Sequence, residues 1–203
     1  MLLSHHGPRK FHLRVYVLAC ADMNVFVFDQ ILALFSLKPY SMDNPEDLLV
    51  HLTNTCLQVD QPEYVEEESV QMFWDLTDNS GHTGVDSAIL HSVFDQVKSI
   101  TAQVFEATSS EATMFQALPN AFEIFGLDFL VDDDAKVLFL EANAFPDFKQ
   151  TGERLGAVID KLFTETVNVA LSPHPSKPNY QADQNNTVGF GKFHLVFEKK
   201  RSE

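Results

Sequence analysis

The chain has few cysteines, few basic residues and no long apolar run, and each shortage excludes a class of protein. Its two cysteines, Cys20 and Cys56, are too few for a disulfide framework, so buried free thiols are expected. The 14 basic residues stand against 29 acidic ones, and the net charge of −15 argues against a nucleic-acid-binding surface. No apolar run reaches the length of a membrane span, and residues 1–6 are too short and too polar for a signal peptide. These features predict a cytoplasmic protein with neither membrane nor nucleic-acid partners.

The apolar residues are arranged in patterns that predict both strands and helices. With 203 residues, 45% of them hydrophobic, the chain can bury a substantial core. Two β-rich runs, residues 11–19 and 25–28, predict a hairpin near the N-terminus. Apolar residues at helical spacing predict helices over residues 81–105 and 151–171. The predicted fold is of the α+β class, an antiparallel sheet with packing helices.

A second hairpin is predicted where two apolar, β-rich arms flank an Asp-rich turn. The arms are residues 121–131 and 136–144. A two-residue turn at positions 133–134 sets Asp128 opposite Phe139. This register decides which side chains of the two arms share a face.

Three oxygen-bearing side chains are expected on one face of this hairpin. Because side chains alternate with a period of two, Glu141 and Asn143 share the face of Phe139, with Asp128 diagonal to Glu141. Two carboxylates and a carboxamide suit Mg²⁺ that is completed by water and phosphate oxygens. The alternative is an acidic edge on a surface hairpin, and a one-residue slip of register would turn Asp128 to the other face.

Two further segments carry polar side chains suited to anionic ligands. Strand alternation places Lys10, His12 and Arg14 on one face of the first strand, with apolar side chains on the other face. An exposed basic strand face is the competing interpretation. Thr53 and Asn54 offer a hydroxyl and a carboxamide after a short apolar segment, where a helix N-cap or a turn is the alternative.

These motifs, taken in order, resemble the tubulin–tyrosine ligase family, a branch of the ATP-grasp ligases. The matching segments are Arg9–Leu18, His51–Asn54, Phe122–Val131 and Phe139–Pro146. The resemblance covers residues 7–170 and corresponds to the C-terminal half of a ligase domain; the closing Asp147–Gly152 is most similar to fungal members. It implies an ATP-grasp-like partial domain over residues 1–171. Residues 172–203 are then a mobile loop with a possible terminal edge strand.

The resemblance also implies an activity and its residues. The activity is ATP-dependent ligation of an amino acid to a protein tail through an acyl phosphate, with ATP and Mg²⁺ as cofactors. The partners are a protein C-terminal tail, of tubulin or of another protein, and a free amino acid. The roles implied are metal binding by Asp128, Glu141 and Asn143, nucleotide binding by Lys10, His12, Thr53 and Asn54, and catalysis by Arg14.

The chain also departs from the family pattern in three respects. His12 stands where the family usually has Asp, and Leu34 stands where it has a substrate-contacting Arg. Only nine residues precede Lys10, whereas the family's adenine-contacting hinge and phosphate-reaching lysines lie upstream of this motif. The chain is therefore expected to be incomplete as a ligase. Two other interpretations stay open: a non-catalytic protein-binding module that keeps the metal-site half of the fold, and a simple Mg²⁺-dependent phosphohydrolase.

Overall fold

One antiparallel sheet with packing helices organises the described residues. The computed structural model describes residues 8–21, 23–77, 85–109, 118, 121–148, 155–171 and 189–199. The strands are β1 (Phe11–Cys20), β2 (Asn24–Phe28), β3 (Leu32–Phe35), β4 (Val70–Met72), β5 (Phe122–Val131), β6 (Val137–Asn143), β7 (Gly189–Phe190) and β8 (Phe193–Glu198). The α-helices are α1 (Leu48–His51), α2 (Glu66–Ser69), α3 (Ser87–Ser109) and α4 (Gly156–Ala170). Short 3₁₀ helices cover Thr55–Leu57 and Phe73–Leu76. The α+β prediction is confirmed.

The ten-residue strand β1 lies at the centre of the sheet. It pairs with β5 along one edge; along the other, its first half pairs with β3 and its second half with β2. Strand β4 lies beyond β3, β6 lies beyond β5, and β8 followed by β7 lies beyond β2. The β1–β2 and β5–β6 pairings confirm both predicted hairpins.

Alternate side chains of β1 belong to two core clusters, one on each face of the sheet. The first cluster joins Phe11, Leu13 and Val15 to the apolar side of α3. The second joins Tyr16 and Leu18 to α4. On this second face, the first half of β1 carries polar side chains instead, although their pairing partners Leu32 and Leu34 on β3 still belong to the second cluster.

The turn between β5 and β6 is one residue longer than predicted. Val131 pairs with Val137, and the backbones of Asp132 and Lys136 hydrogen-bond across the turn (N···O 3.0 Å). The Asp132 carboxylate accepts the backbone N–H groups of Asp134 and Lys136, and Ala135 adopts a left-handed φ of 59°. The prediction of a two-residue turn was wrong, because the Asp132 side chain stabilises a three-residue turn that ends in a left-handed residue.

A β-bulge at Leu140 shifts the register of this hairpin a second time. Phe129 pairs with Phe139, whereas the next residue, Asp128, pairs with Glu141. Phe139 therefore lies on the core face beside Phe129, with ring centroids 5.7 Å apart, and does not share the face of Glu141. The predicted placement of Asp128 opposite Phe139 was wrong, because a bulge sets two residues of one strand against one of the other.

The helices and the terminal strand also differ from the prediction in detail. Helix α3 begins at Ser87, after Asp86 accepts the backbone N–H of Ala88 (2.8 Å), whereas the prediction began at residue 81, and residues 78–84 lie outside the described part. Helix α4 begins at Gly156, and the start predicted at residue 151 lies outside it too. Strand β8 pairs with β2 along its length, and β7 pairs on the other side with Phe193 and His194 alone, so among the described strands the rest of β8 lies at the edge of the sheet. The predicted mobile loop falls largely on residues 172–188, outside the described residues.

Two smaller observations complete the fold. Cys20 is buried as expected, but Cys56 is exposed, because it lies in the first 3₁₀ helix on the surface, so the expectation of two buried thiols was wrong for Cys56. Within the described ranges, no helix combines the length and apolar character needed to cross a membrane.

Candidate active site

A cavity of about 320 Å³ opens on the second face of the sheet, where the polar half of β1 meets β5, β6 and the segment after α1. Its wall combines polar and apolar side chains. The polar ones are His12, Arg14, Thr53, Asn54, Asp128 and Glu141, and the apolar ones are Leu52, Leu57 and Leu140. The structure thus brings together side chains from three segments that together span more than a hundred residues of the chain.

The guanidinium of Arg14 holds the carboxylate of Asp128 across the central strand pair. The two residues are direct partners in the β1–β5 register. Arg14 Nε donates to Asp128 Oδ1 (2.5 Å) and Nη2 donates to Oδ2 (3.0 Å), the two-point geometry that suits guanidinium and carboxylate. Burial alone lowers the pKa of Arg14, but the hydrogen bonds and the charge of Asp128 outweigh it and raise the pKa above its usual value. Arg14 is therefore a fixed cation at the floor of the cavity, which rules out the exposed basic face.

Gly126 leaves the space that Arg14 occupies. It pairs with Tyr16 on β1, one step along the same face. A Cβ atom at this position would lie 2.9 Å from Cβ of Pro146 and 3.3 Å from Cδ of Arg14. A glycine inside a strand often marks such a close approach, so Gly126 is the signal in the sequence that could have indicated it.

His12 is buried between Thr53 and Asp128. Its Nδ1 lies 2.5 Å from Oγ1 of Thr53, and its Nε2 lies 3.9 Å from Oδ1 of Asp128, beyond hydrogen-bond distance. Burial is the largest cause that lowers the pKa of His12, to about 4, and the negative charge of Asp128 opposes it. The imidazole is therefore neutral at neutral pH, and it is not part of an exposed basic face.

The hairpin β5–β6 supplies the acidic wall. Asp128 pairs directly with Glu141, and Asn143 Nδ2 donates to Glu141 Oε1 (3.0 Å), so the three side chains share one face. Asp128 is 6% exposed, whereas Glu141 is exposed. Among the described residues, no group of three or more His, Cys, Asp or Glu side chains is already gathered around one metal position. Few protein oxygens on a hard, open site still fit Mg²⁺, which keeps water and phosphate oxygens in its shell.

The remaining predicted residues lie around this centre. Lys10 lies at the start of β1, half-buried, on the face of His12. Asn54 is exposed, and its Oδ1 accepts the backbone N–H of Cys56 (3.2 Å). Asn54 is therefore the N-cap residue of the first 3₁₀ helix, which was the alternative to nucleotide binding. Both Thr53 and Asn54 line the cavity.

An apolar side of the cavity was missed by sequence reasoning. Leu52, Leu57 and Leu140 are each more than a third exposed although they line a cavity. Leu140 is the bulged residue of β6, so its position beside Glu141 could not be read from strand alternation. Leu34 pairs with His12 and is 3% exposed, so the position that the resemblance gives to a substrate-contacting Arg is apolar and closed.

Comparison with known proteins gives the family. Residues 1–179 match the tubulin–tyrosine ligase family. The chain belongs to this family. It is 39% identical to the probable tubulin–tyrosine ligase PBY1 of Saccharomyces cerevisiae over 95% of its own length, and 42% identical to a probable tubulin–tyrosine ligase of Schizosaccharomyces pombe over 85%. The resemblance drawn from the motifs is confirmed.

A solved relative gives the fold. The crystal structure of the C-terminal domain of Kluyveromyces lactis Pby1, described as an ATP-grasp enzyme interacting with the mRNA decapping enzyme Dcp2, matches 98% of this chain. The TM-score is 0.72 and the sequence identity is 32%. The chain spans 51% of that structure, and 26% and 40% of the Saccharomyces and Schizosaccharomyces proteins. An ATP-grasp-like partial domain, as predicted, is confirmed.

Proposed function

We propose that the chain forms the metal- and acyl-phosphate-binding half of an ATP-dependent ligase that joins an amino acid to a protein tail. The observation that carries this proposal is the convergence of Arg14, Asp128 and Glu141 on one face of three adjacent strands. A fixed guanidinium beside two carboxylates matches the needs of phosphoryl transfer to a carboxylate, where positioning and charge neutralisation supply most of the catalysis.

In the proposed reaction the carboxylate of a protein tail attacks the γ-phosphate of ATP and forms an acyl phosphate and ADP. The amine of a free amino acid then attacks the acyl carbon, and phosphate leaves. Arg14 is the catalytic residue, because its planar fork holds the carboxylate or the acyl phosphate at two points. Asp128 uses two of the five N–H donors of the guanidinium, on Nε and Nη2, so Arg14 can hold the substrate through the edge formed by Nη1 and Nη2 while it keeps Asp128.

The other side chains bind the co-substrates. Asp128, Glu141 and Asn143 would hold Mg²⁺, which offsets the charge on the phosphates. The nucleotide would lie against His12, Thr53 and Asn54, which line the cavity, and Lys10 would reach it from just before β1. The side chains of Leu52 and Leu140 give the cavity the apolar surface that the flat face of a base needs. We propose a protein C-terminal tail as the acceptor and a free amino acid as the second substrate.

The test is calorimetric titration of the chain with a non-hydrolysable ATP analogue in the presence and absence of Mg²⁺. Glu141→Gln should abolish the gain in affinity that Mg²⁺ provides, and it should leave the fold intact because Glu141 is exposed. Glu63→Gln, at an exposed residue outside the cavity, is the matched control and should bind as the unchanged chain does. Equal Mg²⁺-dependent affinity in Glu141→Gln and Glu63→Gln would contradict the proposed metal site.

A protein-binding role is the second candidate, and an exposed apolar strand favours it. Strand β6 pairs only with β5 among the described strands, and Leu138 within it and Phe145 just after it are 44% and 91% exposed. An apolar, unpaired strand edge is a template for a partner chain. The solved relative interacts with a decapping enzyme, so the corresponding decapping enzyme is the partner to test. Leu138→Lys should weaken that binding and leave nucleotide affinity unchanged. Unchanged binding of the decapping enzyme by Leu138→Lys would exclude this role for β6.

A further inference from the structure

One nitrogen of the candidate active site has no hydrogen-bond partner. His12 Nε2 is shielded from solvent and makes no hydrogen bond with any described residue. The whole residue is 8% exposed, and it lines the cavity. A buried polar atom left without a partner loses a substantial part of its solvation free energy, so Nε2 needs a partner that the described residues do not supply.

The second ring nitrogen fixes the orientation of this imidazole. Nδ1 lies 2.5 Å from Oγ1 of Thr53. When Nδ1–H donates to the hydroxyl, Nε2 carries the lone pair, and it is the nitrogen on the side of Asp128. A histidine that binds a metal through one nitrogen is typically held in this way through the other, and Thr53 supplies that support here.

The surroundings of Nε2 are those of a cation site. Oδ1 of Asp128 lies 3.9 Å away, and a lone pair facing a carboxylate at this distance is unfavourable unless a proton or a metal ion lies between them. Two ligands of one divalent ion stand about 3–3.5 Å apart when each bond is about 2.1 Å, so a side-chain shift of about half an ångström closes the gap. Two carboxylates, Asp128 and Glu141, and two cations, Arg14 and Lys10, act on this imidazole. A metal ion would be attracted by the two carboxylates, on the side of the ring where Asp128 lies.

We propose that Nε2 of His12 is a ligand of the divalent ion held by Asp128 and Glu141. The inference rests on the proposed function and deepens it, because the imidazole then reaches the nucleotide phosphates through the ion. Magnesium prefers oxygen ligands, whereas imidazole is a good ligand for later divalent ions. A site with His12 should therefore favour Mn²⁺ or Co²⁺ over Mg²⁺ more strongly than a site with a carboxylate at this position.

The experiment uses Mn²⁺ as the probe and measures binding and coordination separately. Titration of the chain with Mn²⁺, alone and with ATP, gives the affinity from the free-ion signal in electron paramagnetic resonance. Electron spin-echo modulation of bound Mn²⁺ then reports a directly coordinated nitrogen, and uniform ¹⁵N labelling of the protein separates protein nitrogen from that of ATP. We expect nitrogen modulation that changes with the label, and its loss in His12→Asp and His12→Asn.

Two variants separate ligation from folding. His12→Asp keeps a ligand but exchanges nitrogen for oxygen, so the ratio of Mn²⁺ to Mg²⁺ affinity should fall about ten-fold while Mg²⁺ binding persists. His91→Gln, at an exposed histidine on α3 outside the cavity, should keep both the modulation and the ratio. Circular dichroism of each variant confirms that it is folded, and persistent Mg²⁺ binding by His12→Asp shows that the site remains assembled.

The possible outcomes separate the two proposals. Mn²⁺ binding without protein nitrogen modulation, or an unchanged affinity ratio in His12→Asp, would overturn the role of His12 and leave the proposed ligase site standing. Failure of the unchanged chain to bind Mn²⁺, both alone and with ATP, would overturn both proposals.

Discussion

Arg14 and Asp128, 114 residues apart in the chain, face each other across the β1–β5 pair and share two hydrogen bonds. Both side chains are nearly buried, at 12% and 8% exposed. A buried ion pair contributes little net stability, but removal of one partner leaves the other as an uncompensated buried charge. The pair therefore constrains the fold, because each charge needs the other to stay buried even when no ligand is bound.

Arg14→Ala should lower the free energy of unfolding by about 3–5 kcal/mol, because Asp128 is left buried without its cation. Urea unfolding followed by circular dichroism measures the change. The double variant Arg14→Met with Asp128→Leu should recover most of the loss, since an apolar pair of similar volume needs no charge compensation.

Lys38→Ala is the control for this prediction. It breaks the Lys38–Asp47 ion pair on the surface, where solvent screens the charges, and should leave the urea midpoint unchanged. Equal midpoints for Arg14→Ala and Lys38→Ala would show that the buried pair is not a constraint on the fold.

The motif residues of the site could be predicted from the sequence, but the contacts among them could not. Alternation along β1 separates the face of Arg14 from the apolar face, and the β-rich arms indicate the hairpin that carries Asp128. The direct pairing of Asp128 with Glu141 depends on a three-residue turn and on the bulge at Leu140. The longer turn and the bulge each shift the register by one residue. Together they pair Asp128 with Glu141 and place Phe139 on the opposite face of the sheet.

Long-range pairing explains the other differences. Strand β3 brings Leu34 beside His12 only because β1 continues past β2 and offers its first half to a third strand. No local pattern specifies this partner. The start of α3, in contrast, could have been predicted locally. Asp is a common N-cap residue, and Asp86 directly precedes the helix.

Ala21→Gly should stabilise the protein by about 0.5–1 kcal/mol. Ala21 adopts a φ of 53° after β1, a left-handed conformation that is unfavourable for a residue with a Cβ and free of that penalty for glycine. The backbone hydrogen bond from Ala21 to Ala121 (3.1 Å) is retained by glycine. Thermal unfolding measures the shift.

An alanine-to-glycine substitution within a helix should change the stability in the opposite direction. Ala102→Gly lies within α3 and should destabilise the protein by about 1 kcal/mol, because glycine has more backbone freedom to lose. A destabilising Ala21→Gly would show that the left-handed backbone at this position does not persist in solution.

The two thiols should react at very different rates. Cys20 is buried, and burial raises the pKa of its thiol to about 11, so both access and thiolate are lacking. Cys56 is exposed. A chromogenic disulfide reagent at pH 8 should label one thiol rapidly in the native chain and the second only in denaturant. Cys56→Ser should remove the rapid phase and Cys20→Ser should retain it; a rapid phase in Cys56→Ser would contradict the packing of β1.

The stability of the metal-free protein should depend on the protonation of His12. Burial lowers the pKa of this imidazole from 6.5 to about 4, so between these pH values the unfolded chain binds a proton that the folded chain does not. The contribution is fully present above pH 6.5 and is lost as the pH falls towards 4. Its full size corresponds to about 3 kcal/mol, from about 1.4 kcal/mol per pKa unit.

His12→Gln removes the titrating group and keeps a side chain that hydrogen-bonds with Thr53. In the presence of a chelator, the free energy of unfolding of this variant should fall less between pH 7 and pH 4.5 than that of the unchanged chain. Carboxylates titrate in both proteins, so the difference between the two slopes isolates His12. His91→Gln, at an exposed histidine, should keep the original slope. If the unchanged chain and His12→Gln lost stability in parallel, the imidazole would not be buried in the neutral form, and its unpartnered nitrogen could not be available to a cation.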